Sequence, residues 1–270
     1  MNLPEPKAPT MSDESPDVAV SFDGPVATVE IRRPPHNFFD IPLIHELAGV
    51  FESLEANRDC RAIVLAAQGT AFCAGANFAN RNATPEQGGP RPINPLYNEA
   101  IRLHACTKPV VAAVHGPAIG GGLGLALVAD FRVTCPEARF SANFTRLGFH
   151  PGFALSVTLP RVIGMQQAQL MFFTGRRIGG EEAQRIGLAD LLVPQDQVRA
   201  RALDLAREIA VSAPLAVQST RATLRRGLVE QIRLAVAHES IEQYAQFKTA
   251  DFREGVAAMA ERREPRFSGE

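Results

Sequence analysis

The sequence is short of the residues that mark several classes of protein. Its 270 residues contain no tryptophan, four cysteines and three lysines. The cysteines are widely spaced and form no CxxC pair, which argues against a zinc site or a disulfide scaffold and favours reduced thiols. No window reaches the roughly 18 consecutive apolar residues that span a bilayer, so no membrane association is expected. A net charge of -1 argues against a general nucleic-acid binder.

Residues 1–16 lack the features of a targeting segment. They are rich in proline and acidic residues and show almost no periodicity. A secretory signal needs a basic start and an apolar stretch, whereas a transit peptide needs arginine and few acids. We therefore predict a disordered tail over residues 1–16 and a cytoplasmic location.

Apolar residues are plentiful, at 46% of the chain, and the length allows one large domain or a domain with an appendage. Two β-branched runs, 18–22 and 26–31, predict a hairpin. Two further apolar runs predict buried strands at 62–67 and 110–114, and a third strand is predicted at 131–134. These segments alternate with helical ones, which favours parallel strands. Helices are predicted from Asp40 to about Asn57, over 96–105, and from 120–122 to about Ala129. The alternation indicates an α/β fold.

Helical periodicity dominates the chain after Leu191. Helices are predicted near 195–211, 214–226, 230–248 and 252–262. We predict a boundary near residue 200, between a core over 17–200 and a helical region over 201–270. The segment from Thr84 to Pro95 repeats proline and glycine, which predicts a mobile surface loop.

Two segments that contain glycine, 71–77 and 120–122, each follow a buried strand. In parallel α/β sheets the crevice beyond the carboxyl ends of the strands is the usual ligand site. The three consecutive glycines open a helix, where free N–H groups favour negative charge. One N–H group from each segment could converge on a single oxygen and form an oxyanion hole. The alternative is that these glycines serve only tight turns and helix packing.

These motifs, read along the chain, resemble those of the crotonase, or enoyl-CoA hydratase/isomerase, superfamily. The resemblance rests on Asn37 after an Arg-Pro-Pro segment, on AFCAGAN at 71–77 and on VHGPAIGGG at 114–122. It continues through ADFR at 129–132, LG at 147–148, PG at 151–152, TG at 174–175, GLAD at 187–190 and the closing stretch from Asp251 to Phe267. It therefore covers nearly everything after the tail.

The resemblance implies a ClpP-like spiral of ββα units and a C-terminal helical region that forms trimers, which often pair into hexamers. It implies an acyl-CoA substrate, with coenzyme A as part of that substrate and neither a metal nor a further cofactor. The thioester oxygen would be held by the backbone N–H groups of Ala76 and Gly121. Substrate contacts are expected from Ala74, Asn77, Gly122, Phe144 and Tyr97, and coenzyme A contacts from Asn37 and Phe38.

The chain departs from the family at its catalytic carboxylates. Hydratases of this family use two glutamates, because water must be deprotonated while a proton reaches the α-carbon. Those positions are Gly124 and Phe144 here, and a third acid position of the superfamily falls near Gly152. Hydration by the two-glutamate route is therefore doubtful, and isomerase, hydrolase and C–C lyase chemistry remain open.

His150 is the polar residue that the sequence offers as a proton carrier, because histidine titrates near neutral pH and its segment borders the acyl pocket in relatives. A histidine that only hydrogen-bonds the backbone is the alternative. A protein of another class, a catalytically silent acyl-CoA binder or assembly component, would equally lack the carboxylates. RNA binding is disfavoured by the neutral net charge.

Overall fold

The computed structural model describes residues 17–77 and 94–270. The predicted tail over 1–16 lies outside these residues, as does all of the predicted loop from Thr84 to Pro95 except its last two residues. Among the helices of the described residues, none is long and apolar enough to cross a membrane.

The described strands form two sheets. The larger sheet has six strands in the order β1-β2-β3-β4-β6-β9, and the smaller has three in the order β5-β7-β8. The hairpin partners β1 and β2 are antiparallel, and every later pair in the larger sheet is parallel. The strands are β1 Val18–Asp23, β2 Val26–Ile31, β3 Ala62–Ala67, β4 Val110–Val114, β5 Ala118–Ile119, β6 Phe131–Thr134, β7 Arg139–Ser141, β8 Arg177–Gly179 and β9 Leu191–Leu192.

The helices of the described residues cover the larger sheet and build the C-terminal part of the chain. They are α1 Ile41–Ala56, α2 Pro95–Ala105, α3 Gly121–Ala126, α4 Leu155–Ile163, α5 Met165–Thr174, α6 Gly180–Arg185, α7 Val198–Ala210, α8 Pro214–Leu224, α9 Leu228–Gln246 and α10 Ala250–Glu261. Two short 3-10 helices lie at Asn143–Leu147 and Gln195–Gln197.

The predicted hairpin, buried strands and first helix are confirmed. Every residue of β3 and β4 is buried, because a parallel strand covered on both faces carries apolar side chains throughout. Helix α1 begins where the sequence predicts, because the Asp40 side chain accepts a hydrogen bond from the Leu43 N–H at 3.0 Å. Its buried face runs from Leu43 to Leu54 at helical spacing.

Helix α3 is shorter than the predicted run to Ala129. It ends at Ala126, and its last turn tightens because the N–H of Leu127 donates to the carbonyl of Gly124 at 3.1 Å. The N–H of Val128 likewise bonds three residues back, to Leu125. These short-span bonds end the helix and return the chain to β6.

The predicted boundary near residue 200 falls inside α7. This helix buries Val198, Ala202, Ala206 and Ala210 along one face, which packs against β3, β4 and β6. Helix α9 packs against α2 and α4, and α10 packs against the 3-10 helix Asn143–Leu147. The division of the chain at residue 200 stays a prediction, and the helices beyond it contact the core directly.

Candidate functional site

The first glycine-containing segment, 71–77, is held between two other pieces of chain. On one side Phe39 pairs with Ala76 in a parallel bridge, and its N–H donates to the carbonyl of Gly75 at 3.0 Å. On the other side Cys73 pairs with Ala118, and the N–H of Ile119 donates to the carbonyl of Cys73 at 3.0 Å. The segment is therefore fixed against the start of α3.

Glycines allow the two segments to approach each other closely. A Cβ atom on Gly75 would lie 2.7 Å from the carbonyl oxygen of Ile119 and 3.6 Å from the backbone nitrogen of Gly121. A Cβ atom on Gly122 would lie 2.0 Å from the carbonyl oxygen of Cys73. Side chains at these positions would push the segments apart, so the glycines bring Ala76 and Gly121 to one place.

Asn37 does not contact the site, which corrects its predicted role in coenzyme A binding. It is fully buried, and its backbone has a φ of 49°. Its amide nitrogen donates to the carbonyls of Gln68 at 2.6 Å and Ala71 at 2.8 Å, and its side-chain oxygen accepts from the N–H of Arg33 at 3.0 Å. The side chain therefore joins the segment after β2 to the segment after β3.

A cavity of about 390 Å³ opens beside the paired segments. Most of the side chains in its lining are apolar, and no aspartate or glutamate occurs among the described residues of that lining. Six phenylalanines from different parts of the described chain contribute to the lining. The lining includes Phe38, Phe39, Ala74, Ala76, Asn77, Tyr97, Gly121, Asn143, Phe144, Phe149, Gly152, Phe153, Arg177, Gln243, Phe247, Val256 and Met259.

Ala76 and Gly121 face this cavity from the two glycine-containing segments. Gly121 is the first residue of α3, and the first four N–H groups of a helix have no partner within the helix. In the parallel bridge between Phe39 and Ala76, the Phe39 N–H donates to the carbonyl of Gly75, so this hydrogen bond does not use the Ala76 N–H. The arrangement suits an oxygen that carries developing negative charge.

The space beside Gly124 is filled by an aromatic ring. A Cβ atom on Gly124 would lie 2.8 Å from Cδ1 of Phe153, whose ring is buried and packs 5.4 Å from the ring of Phe39. Phe153 and Ala154 are consecutive residues with φ values of 60° and 61°, a conformation that turns this ring inward. A long side chain at Gly124 therefore has no room.

The comparisons with known proteins agree with this geometry. The enoyl-CoA hydratase/isomerase family model matches residues 21–270. The chain is 33% identical over 250 residues to a short-chain-enoyl-CoA hydratase of Clostridium acetobutylicum, covering 92% of this chain and 95% of that protein. It is 34% identical over 254 residues to enoyl-CoA hydratase domain-containing protein 2, mitochondrial, of Bos taurus, covering 91% and 85%.

A crystal structure of an enoyl-CoA hydratase/isomerase from Pseudoalteromonas atlantica superposes with a TM-score of 0.82 at 30% identity, covering 93% of this chain and 100% of that chain. The chain belongs to the enoyl-CoA hydratase/isomerase family. The structure of OdaA from Pseudomonas aeruginosa also superposes, with a TM-score of 0.81 at 26% identity, covering 91% of this chain and 99% of that chain. The two structural matches confirm the predicted crotonase fold.

Five of the seven predicted substrate and coenzyme A contacts line the cavity of this family member, in addition to Ala76 and Gly121: they are Phe38, Ala74, Asn77, Tyr97 and Phe144. Gly152, near the third acid position, lines it as well. Gly122 is a correction, because it packs against the carbonyl of Cys73 and is not part of the lining. Burial raises the pKa of the Cys73 thiol to about 12, so this cysteine is not a thiolate nucleophile.

The structure also corrects the predicted position of His150. Its ring is not among the cavity-lining groups. The ring nitrogen Nδ1 lies 2.7 Å from the carbonyl oxygen of Pro151, and the ring stands edge-on to that of His238 at 5.6 Å. His150 therefore hydrogen-bonds its own loop, and the structure does not place its ring as a proton carrier for a ligand in the cavity.

A buried carboxylate, Glu239 on α9, lies behind the cavity wall and not in it. It accepts hydrogen bonds from the N–H groups of Ala154 at 2.9 Å and Ser156 at 3.1 Å, and also from the Ser156 hydroxyl. Burial raises its pKa. These bonds hold the start of α4 and keep Phe153 in its inward position.

Sequence reasoning missed the contribution of α9 and α10 to the cavity. Gln243 and Phe247 line it from α9 and its end, and Val256 and Met259 line it from α10. The available signal was the polar pair Glu239 and Gln243, one helical turn apart on a buried face of α9. In the described part of the chain, no group of three or more histidine, cysteine, aspartate or glutamate residues could hold a metal ion.

Proposed function

We propose that the cavity binds an acyl-CoA thioester whose carbonyl oxygen lies between the N–H groups of Ala76 and Gly121. Both residues line the cavity, and they belong to segments that the chain fixes against each other. Donors fixed in this way stabilise an enolate or a tetrahedral oxyanion more than the ground-state carbonyl. Membership of a family that acts on CoA thioesters supports the choice of ligand.

The observation that carries the proposed chemistry is the ring of Phe153 in the space beside Gly124. Hydration needs one group that deprotonates water and another that protonates the α-carbon. The first glutamate position is filled by this ring, and the second position holds Phe144. Hydration through two carboxylates is therefore disfavoured, although relatives carry the name hydratase.

Cleavage of a C–C bond beside the thioester suits these residues better than isomerisation or hydrolysis. Isomerisation must remove a proton from carbon, and hydrolysis must activate water, so both need a base. Loss of CO2 from a β-carboxyacyl thioester needs no base: the carboxylate leaves as CO2, the electron pair of the broken bond stays on the α-carbon as an enolate that the two N–H groups stabilise, and a proton from water then completes the shortened thioester. Among the described residues of the cavity lining no carboxylate base is present, which favours the lyase reaction.

The test is a panel of enoyl-, β-oxoacyl- and β-carboxyacyl-CoA thioesters followed by mass spectrometry. We expect loss of CO2 from the β-carboxyacyl thioesters and no addition of water to the enoyl thioesters. Efficient hydration would overturn the proposed chemistry. Binding without any product would favour the alternative, a silent acyl-CoA binder, and absence of binding would overturn both. His150→Ala is expected to leave turnover unchanged.

We further propose that the C-terminal helices assemble the protein into a homotrimer or a dimer of trimers. Helix α8 has no buried residue within the described chain, and Leu215 and Leu224 on it are 80% and 70% exposed. Leu234 and Ile241 on α9 are also exposed. Exposed apolar residues on neighbouring helices mark an interaction surface. Sedimentation equilibrium is expected to give a multiple of three subunits, and a monomer would contradict the proposal.

A further inference from the structure

Two polar side chains, Tyr97 and Gln243, face the cavity among aromatic neighbours. Both are almost completely buried, and both line the cavity together with Phe153 and Phe247. A Cβ atom on Gly152 would lie 1.9 Å from the hydroxyl oxygen of Tyr97 and 2.5 Å from Nε2 of Gln243. Because residue 152 is a glycine, both polar atoms have room to lie next to its backbone.

The donors and acceptors of Tyr97 and Gln243 are only partly occupied by hydrogen bonds within the described chain. The Tyr97 hydroxyl donates to Oε1 of Gln243 at 2.7 Å and accepts a hydrogen bond from the backbone of Phe153. Nε2 of Gln243 donates to the carbonyl of His150 at 2.8 Å. An amide nitrogen carries two hydrogens, and a hydroxyl or amide oxygen has two lone pairs. In the part of the chain that is described, one amide hydrogen and a lone pair on each oxygen have no partner assigned.

A neutral group that both donates and accepts is the best match for these unused sites. A ligand hydroxyl can accept from Gln243 and donate to either oxygen of the pair. An anionic group is disfavoured, because Glu239 lies one helical turn away on α9 and the hydrogen bonds given above for the pair involve no cationic side chain. Burial, assisted by the Glu239 charge, raises the pKa of Tyr97, so this hydroxyl stays neutral.

We infer that Tyr97 and Gln243 form a polar subsite for a hydroxyl group on the acyl chain of the thioester. The inference rests on the proposed function, since it takes the cavity to hold an acyl-CoA. It assigns the substrate class as a hydroxyacyl-CoA whose remaining acyl atoms contact the phenylalanines. An apolar acyl chain would leave the buried polar pair without these bonds, which is the basis of discrimination.

The test is equilibrium binding of hydroxyacyl-CoA thioesters that differ in hydroxyl position, each paired with the unsubstituted thioester of equal chain length. Two hydrogen bonds predict that one hydroxyl position binds about tenfold more tightly than its unsubstituted partner. Tyr97→Phe removes only the hydroxyl and should bring this ratio towards one. Gln243→Leu should do the same and serves if the first variant folds poorly.

Tyr244→Phe is the matched control, because Tyr244 is the other tyrosine of the chain and is not part of the cavity lining. It should keep the wild-type ratio. A ratio near one for every hydroxyl position in the wild type, or an unchanged ratio in Tyr97→Phe, would overturn the subsite while the proposed function stands. If no thioester binds at all, the proposed function itself fails.

Discussion

The ring of Phe153 occupies the space into which a side chain at Gly124 would project. The distance from a Cβ atom on Gly124 to the ring is 2.8 Å, shorter than any ordinary contact. Gly124 and Phe153 are therefore matched, because a larger residue at the first position requires a smaller one at the second. At Gly124, where the family resemblance leads us to expect a glutamate, packing against Phe153 leaves no room for a long side chain.

Gly124→Ala is expected to destabilise the protein by about 1–3 kcal/mol, the usual cost of adding a methyl group to a filled core. Urea unfolding monitored by circular dichroism measures this change. The control is Gly49→Ala, since Gly49 lies in α1 with open space around its Cβ position. That variant should gain about 0.5–1 kcal/mol from helix propensity.

The same substitution in a Phe153→Ala background should cost much less, because the clashing ring is gone. Phe153→Ala alone is expected to lose about 3–5 kcal/mol through the cavity that it creates. The coupling free energy from the double-mutant cycle should therefore be clearly favourable. If the two changes were additive, the packing relationship between these residues would be wrong.

Ala76→Pro is predicted to abolish most catalysis, because proline has no N–H to donate to the thioester oxygen. Removing one oxyanion-hole donor lowers kcat by about 10²–10³-fold. Turnover of the best acyl-CoA from the panel measures the loss, and binding of free coenzyme A with a thermal melt checks that the variant is folded. Turnover at wild-type levels in a folded variant would exclude this N–H group from the site.

Much of the fold follows from local patterns in the sequence. Strands β2, β3 and β4 lie where apolar runs predict them, because burial of both faces leaves a continuous signal. Helix α1 begins at its predicted cap, Asp40. Element ends were less predictable, as α3 shows, because its last turn depends on the path back to the sheet.

The site was only partly predictable, because its side chains are placed by contacts between distant parts of the chain. The backbone groups of Ala76 and Gly121 follow from motifs and glycines, and both face the cavity. Asn37 carries a family motif, but its hydrogen bonds to the segment after β3 bury it. The role of Gln243 depends on how α9 packs against α2, which no local pattern reports.

Arg177→Gln is predicted to weaken binding of acyl-CoA and free coenzyme A without lowering kcat. Arg177 is exposed and is the charged side chain in the described cavity lining, so it can face the phosphates of coenzyme A at the rim. Titration calorimetry at low and high salt should show about a 3- to 10-fold loss that shrinks as salt rises.

The neighbouring Arg176 provides the control for this prediction. It is also exposed but is not part of the lining, so Arg176→Gln changes the net charge equally at an adjacent position. Coenzyme A should bind this variant as it binds the wild type. Equal losses in both variants would show a general charge effect in place of a contact at the rim.

Asn37→Ala is expected to cost about 2–4 kcal/mol of stability, because three backbone groups, one in a buried and two in part-buried hydrogen bonds, lose their partner at once. Chemical denaturation measures this loss. In Asn57→Ala, the matched control, one exposed hydrogen bond to the Asp59 N–H is lost and the cost should stay below about 1 kcal/mol. Similar values for the two variants would contradict the structural role of Asn37.

His104 is predicted to make the protein less stable as the pH falls. Its ring is buried, and neither ring nitrogen has a hydrogen-bond partner in the described chain. Burial, with the nearby Arg225 and Arg221, lowers its pKa from 6.5 to about 3. Below pH 6.5 the unfolded chain therefore binds a proton that the folded protein does not, until the pH reaches about 3.

From His104 alone, the free energy of unfolding should fall by up to about 1.4 kcal/mol for each unit by which the pH drops below 6.5, down to about pH 3. Above pH 6.5 the ring is neutral in both the folded and the unfolded chain, so none of this stability is lost. His104→Leu and His104→Gln both remove the titrating ring and should flatten the pH dependence equally. At neutral pH the leucine variant should be the more stable of the two, because it leaves no polar atom unpaired in the core. Urea unfolding between pH 4 and pH 7 measures both effects and covers about 2.5 units of this window, from pH 4 to pH 6.5. An unchanged slope in His104→Leu would mean that this histidine is protonated or paired in the folded protein.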